Sequence, residues 1–207
     1  MSSKRSLIRR ATAVAAAAAA GLVLAACGGN DGGAGHNGHD SGASPTATAS
    51  ARQGEHNAAD TAFAQGMIPH HRQAVEMADL APTRAESAEV KKLADEIKKA
   101  QDPEIKTLSG WLTSWGEQVP AEGEGHGGHA MEGMMTAEEM ERLEKASGKA
   151  FDTAFLEMMV KHHEGAVAMA KAEQSGGSYG PAKEMAGAIV TSQSAEIARM
   201  NALLGKS

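Results

Sequence analysis

Between residues 58 and 207 the apolar side chains recur every three or four positions, the period of an α-helix with one buried face. The stripe Phe63, Met67, His70, Ala74, Met77 and Ala81 predicts a first helix, with Pro82 and Thr83 making the turn that ends it. Val90, Leu93, Ala94, Ile97, Ile105, Leu108 and Leu112 predict a second. Pro103 is expected to kink or split it, because proline lacks the N–H and crowds the preceding turn. Phe155, Met159, His162, Ala166, Met169 and Glu173 repeat the first stripe, and Ser175-Gly176-Gly177 ends it with residues able to take a left-handed cap. Met185, Ile189, Ile197, Met200 and Leu204 give a last stripe. Thr136 and Glu139 have the spacing of a capping box, so a short helix is expected over about 137–146, ending at Gly148. No stretch sustains the period-two alternation of a strand. The expected fold class is all-α: a four-helix bundle made of two helical hairpins, with an extra short helix in the linker.

The hairpins are copies of one another. Residues 60–78 (DTAFAQGMIPHHRQAVEMA) and 152–170 (DTAFLEMMVKHHEGAVAMA) are identical at 11 of 19 positions, at an offset of 92. The same offset aligns Lys91, Ala94, Ile97, Gln101, Glu104, Ile105 and Leu112 with Lys183, Ala186, Ile189, Gln193, Glu196, Ile197 and Leu204. The domain 58–207 is therefore read as repeats 58–115 and 150–207 joined by a Met- and His-rich linker, 116–149. The copies differ where Pro69 stands against Lys161 and Gly66 against Met158. Pro69 disturbs the bond to the Gln65 carbonyl, so a kink is expected beside the first histidine pair.

Ahead of this domain, residues 1–26 read as an export signal: four positive charges, an Ala-rich apolar run, then Leu24-Ala25-Ala26-Cys27. Small residues ending at Cys, followed by Gly28-Gly29, resemble the lipobox of bacterial lipoproteins, which implies lipidation of Cys27. A lipid anchor without a spanning segment would tether the domain to the outer face of the cell membrane. Residues 27–57 are rich in Gly, Ala, Ser, Thr, Asn and Asp and are read as a flexible tether containing His36, His39 and His56, in which Gly35-His36-Asn37-Gly38-His39 either binds a metal loosely or is merely solvated.

The whole chain carries 20 basic and 26 acidic residues, a net charge of −6. Removing the signal takes away Lys4, Arg5, Arg9 and Arg10, leaving 16 against 26, or −10. That excludes nucleic acid as a partner, since phosphate binding needs Lys and Arg to displace counterions. A single Cys excludes an internal disulfide and a Cys-rich zinc site. Against only 3% aromatic residues stand 12 Met and 9 His.

The chemistry lies in the pairs His70-His71 and His162-His163. Neighbours on a helix differ by about 100°, so both members of a pair are not expected to point into one core. Met67 precedes His70 by three and His71 by four residues; Met159 stands likewise to His162 and His163, and Met158 adds another thioether. Met77 and Met169 lie about two turns beyond, on the same stripes. Packing about an approximate two-fold axis would bring the two clusters together across the bundle, where such folds build metal sites. Imidazole suits copper, zinc, iron or nickel, and thioether selects soft Cu(I), so the combination points to copper, with Cu(I) favoured and Cu(II) possible. A secondary candidate is His126, His129, Met131, Met134 and Met135 in the linker; the alternative is a spacer whose Met134 and Met135 tuck against the following helix. Glu164 beside His163 is either a hydrogen-bonding support or a solvated charge. Histidine ligates when neutral, so copper affinity is expected to fall below about pH 6.

With Met67-Ile68-Pro69-His70-His71 and Ala74 to Ala78, and Met159 to Ala166 followed by Met169-Ala170, the chain resembles the family called domain of unknown function 305 over about residues 58–207. The resemblance implies a ferritin-like helical bundle, and some members are exported copper-binding proteins linked to copper resistance.

The reading expected is an extracytoplasmic copper-binding lipoprotein that sequesters the ion or hands it to a copper-handling partner protein, with no catalytic step. One alternative is a metal-free helical interaction module with Met-rich surfaces. A ferritin-like iron protein is disfavoured, because its Glu-x-x-His motif is absent: Met67, Ile68, Met159 and Val160 stand three before the paired His.

Overall fold

The computed structural model describes residues 55–123 and 132–206. Five helices follow in order: α1 (Ala58–Arg84), α2 (Ala88–Trp115), α3 (Ala137–Lys145), α4 (Gly148–Gly176) and α5 (Gly180–Leu203). Within the described residues there is no strand; one isolated bridge joins Ala85 and Gly148. Among those residues no helix is long and apolar enough to cross a membrane.

Local chemistry sets most of the ends. Asn57, read from sequence as the last residue of the tether, is the N-cap of α1: its side chain accepts from the N–H groups of Ala59 and Asp60, while Asp60 accepts from Asn57 N–H. The box of Thr136 and Glu139 forms and starts α3. Ser87 caps α2, and Gly116, with φ of 74°, closes it in the left-handed region.

One helix end, one interior proline and one cap conformation depart from the sequence pattern. α1 continues through Pro82 and Thr83 to Arg84. α2 runs unbroken past Pro103. α4 stops at Gly176, but its cap Gly177 has φ of −71°, an extended and not a left-handed conformation. At Pro82 and Pro103, packing against the partner helix outweighs a local preference worth about 3 kcal/mol.

α1 pairs with α2 and α4 with α5 as antiparallel hairpins, and α1 lies antiparallel on α4 between them. The duplicated Asp of each DTAF segment locks the hairpins together. Asp60 accepts from the backbone N–H of Ser178 and Tyr179 in the α4–α5 turn, and Asp152 from Glu86 and Ser87 in the α1–α2 turn. These pairs are related by the same offset of 92 residues. The apolar interior falls into two clusters. One gathers Ala74, Met77, Leu93, Ile97, Phe151, Phe155, Met159 and Met200. The other gathers Phe63, Met67, Leu108, Leu112, Ala166, Ala186 and Ile189. The histidine pairs stand between them, at the midpoints of α1 and α4.

Candidate metal centre

All four paired histidines are fully buried. As the 100° spacing predicts, the two members of a pair still do not point into one core. A helix residue 100° from its neighbour also faces protein here, because α1 and α4 each have neighbours on two sides. His70 and His162 meet between the hairpins, with ring centroids 3.8 Å apart and planes tilted by 47°. His71 and His163 turn into their own hairpins instead. His71 Nε2 lies 2.7 Å from Glu104 Oε2 on α2, and His163 Nε2 lies 2.6 Å from Glu196 Oε2 on α5. Glu104 and Glu196 were visible only as aligned positions of the repeat. Glu164, the carboxylate adjacent in sequence, is exposed.

Most imidazole nitrogens here lack a partner. Among the described residues, Nδ1 of His70, His71, His162 and His163, and also Nε2 of His162, are buried with no hydrogen-bond partner. His70 Nε2 pairs with the Glu132 carbonyl at 3.3 Å. Burial drives the His70 imidazole down to about 3, aided by His71 and His163 against the opposing pull of the Glu132 carbonyl. Burial first, then the surrounding His70, His163 and His71 rings, holds His162 well below its ordinary range. Both rings therefore stay neutral far below pH 6, with lone pairs free to ligate.

The thioethers flank this layer. Met67 and Met159 are fully buried, one in each apolar cluster on either side of the crossing. Met77 is fully buried among the residues around Met159, and Met169 is partly buried beside the Met67 cluster. Among the described residues, no three His, Cys, Asp or Glu side chains are placed to hold one metal ion between them. The imidazoles that converge between the hairpins are therefore those of His70 and His162, and not a cage of four histidines.

The linker covers one side of the site. Gln73 exchanges two buried hydrogen bonds with the Met135 backbone, at 2.9 and 2.7 Å. Opposite it on α4, Gly165 admits the strap: a methyl group there would lie 2.1 Å from the Glu132 carbonyl oxygen. Gln73 and Gly165 occupy equivalent repeat positions, so the copies have diverged where a single strap must cross both. The HHRQ and HHEG segments carried that signal, and the sequence pattern gave it no role. Further along, Arg72 donates to the Pro120 and Ala121 carbonyls. Met134 and Met135 are buried; Met135 packs with Met140 and Leu143 of the following helix. His126, His129 and Met131, like Cys27 and the signal and tether segments up to residue 54, lie outside the described residues.

The sequence pattern of the family described as domain of unknown function (DUF305) matches residues 60–204. A Streptomyces coelicolor protein of that family described as secreted is 35% identical, with a TM-score of 0.65 over 72% of this chain and 93% of its own. CopM in its Cu(II)-bound form is 36% identical, with a TM-score of 0.62 over 70% of this chain and 94% of its own. CopM in its Cu(I)-bound form is 34% identical, with a TM-score of 0.59 and the same coverage of both chains. No curated protein matches the chain.

Proposed function

The chain belongs to the DUF305 family, and from that premise we propose that it is an extracytoplasmic copper-binding protein, anchored by lipid at Cys27, that sequesters copper or passes it on without catalysis. The observation that carries this reading is the buried layer of His70, His71, His162 and His163, in which five ring nitrogens have no partner among the described residues. Leaving such groups unpaired costs about 1 to 3 kcal/mol each, so packing alone does not account for them. A bound ion would satisfy them. Neutral imidazoles next to the thioethers of Met67 and Met159 form a soft donor set, which fits Cu(I) and admits Cu(II). That CopM, a structural relative, has been solved with both ions supports copper over zinc or iron.

In this reading His70 and His162 bind between the hairpins, Met67 and Met159 supply sulfur from either side, and Met77 and Met169 lie further out. The strap bearing Met134 and Met135 lies against α1 and α4 and restricts access from that face. Anaerobic titration of the full-length protein against a competing Cu(I) chelator tests the proposal. Tight binding is expected in the wild type, with most of the affinity lost when all four paired His are replaced by Ala. Equal affinity in the two proteins would sink it.

A further inference from the structure

The two members of each histidine pair have different surroundings. His70 and His162 meet one another, whereas His71 and His163 each face a carboxylate from the second helix of their own hairpin, at 2.7 and 2.6 Å. A carboxylate only accepts hydrogen bonds, so the proton in each short bond sits on Nε2. A neutral ring then has its lone pair on Nδ1, and Nδ1 of both rings is buried without a partner. One turn before each Glu, Gln101 and Gln193 are also buried with an unpartnered Oε1. Each hairpin interior therefore holds two lone-pair atoms with no hydrogen-bond partner among the described residues, a combination that a bound cation or water satisfies and apolar packing does not. The constellation recurs in both hairpins although positions around it have diverged: Pro69 against Lys161, Gln73 against Gly165, Ala81 against Glu173.

We propose that Glu104 and Glu196 are positioning residues: by holding the Nε2–H of His71 and His163, they present Nδ1 of each ring as its copper-binding atom, one in each hairpin. The inference rests on the copper reading above and names the donor atom within it. The carboxylates do not touch the ion. They fix the tautomer and orientation of the ring and raise its basicity, an effect worth about 10- to 100-fold in metal affinity where such supports have been removed.

The full-length protein, labelled with 15N at histidine and kept free of copper near neutral pH, tests this by long-range 1H–15N spectra, which separate the two tautomers. His71 and His163 are expected as Nε2–H tautomers. Glu104→Ala and Glu196→Ala should each release their ring into a mixture, and Glu104→Gln and Glu196→Gln should restore the tautomer, because the amide oxygen accepts the same bond. Against a competing Cu(I) chelator, the double alanine variant should bind about 10- to 100-fold more weakly, with partial recovery in the double glutamine variant. An Nδ1–H tautomer or an imidazolium in the copper-free wild type overturns the proposal. So does unchanged Cu(I) affinity in a double alanine variant that has lost the tautomer. Fixed Nε2–H tautomers in a wild type that binds no Cu(I) would overturn the copper reading itself, and the metal-free spectra keep that failure distinct.

Discussion

At Gly165 two effects of opposite sign compete on one atom. Alanine in a helix interior is favoured over glycine by about 1 kcal/mol. Yet the added methyl would sit 2.1 Å from the Glu132 oxygen and 2.9 Å from the Gly133 Cα, both backbone atoms that cannot step aside as a flexible side chain can. Overpacking of this kind costs about 1 to 3 kcal/mol, so Gly165→Ala should lower stability in urea denaturation. It should also speed hydrogen exchange of the Met135 amide, which Gln73 now holds. A more stable variant would mean that the strap does not rest on α4. The periodic pattern could not reveal this: it registers where apolar residues recur, and Gly165 matters because it has no side chain.

At the level of elements, each hairpin is pinned by an Asp from the other, and the two pins are unequal. Asp60 is fully buried, accepts from Asn57, Ser178 and Tyr179, and lies beside Glu173, whereas Asp152 is partly exposed and accepts from two amides. Asp60→Ala strands several buried donors and should cost about 3 kcal/mol, against about 1 kcal/mol for Asp152→Ala, both read from denaturant midpoints. Burial works against the charge of Asp60, but the Glu173 carboxyl and the amides of Tyr179, Asn57 and Ser178 outweigh it and hold Asp60 below its ordinary value. Burial, then the Asp60 neighbour, pushes Glu173 up to about 8 from 4.5. A carboxyl with a raised value stabilises the fold fully below about pH 4.5, and that contribution is lost as the pH rises through about 8. Glu173→Gln cannot ionise, so at pH 9 it should exceed the wild type in thermal stability, while near pH 4 the two should match. The reverse order would show that burial beside Asp60 does not raise Glu173 above its ordinary value. The helices themselves and the duplicated DTAF segments were legible from the offset of 92. The role of the Asp was not, because its partners are backbone amides, which leave no trace in residue type.

For the whole molecule, the buried histidine layer ties stability to acid. His70 is held neutral down to about 3 in the fold, and an unfolded histidine takes its proton near 6.5. Protonation therefore favours the unfolded chain, and stability should fall as the pH drops from about 6.5 towards about 3, by up to about 1.4 kcal/mol per pH unit for each such ring. His162 acts in the same direction. Replacing both with Leu should flatten this acid limb in thermal denaturation followed between pH 3 and pH 7 on the order of one-unit steps. Unaltered pH dependence would show that these rings are not the groups responsible.

Residue type and spacing along the chain were enough to expose an all-α duplicated domain, the two histidine pairs and the soft thioethers nearest to them. Those features are local, repeated at helical spacing and at one constant offset, so residue type and interval suffice to expose them. Helix packing settled the rest: all four histidines are buried, His70 meets His162 while His71 and His163 turn to Glu104 and Glu196, and Met67 and Met159 fall in separate apolar clusters. It also decided that the linker rests on Gln73 and Gly165. These outcomes depend on the antiparallel arrangement of α1 against α4, which sets which nitrogen meets which oxygen across distant parts of the chain. Periodicity along a single helix holds no record of that choice.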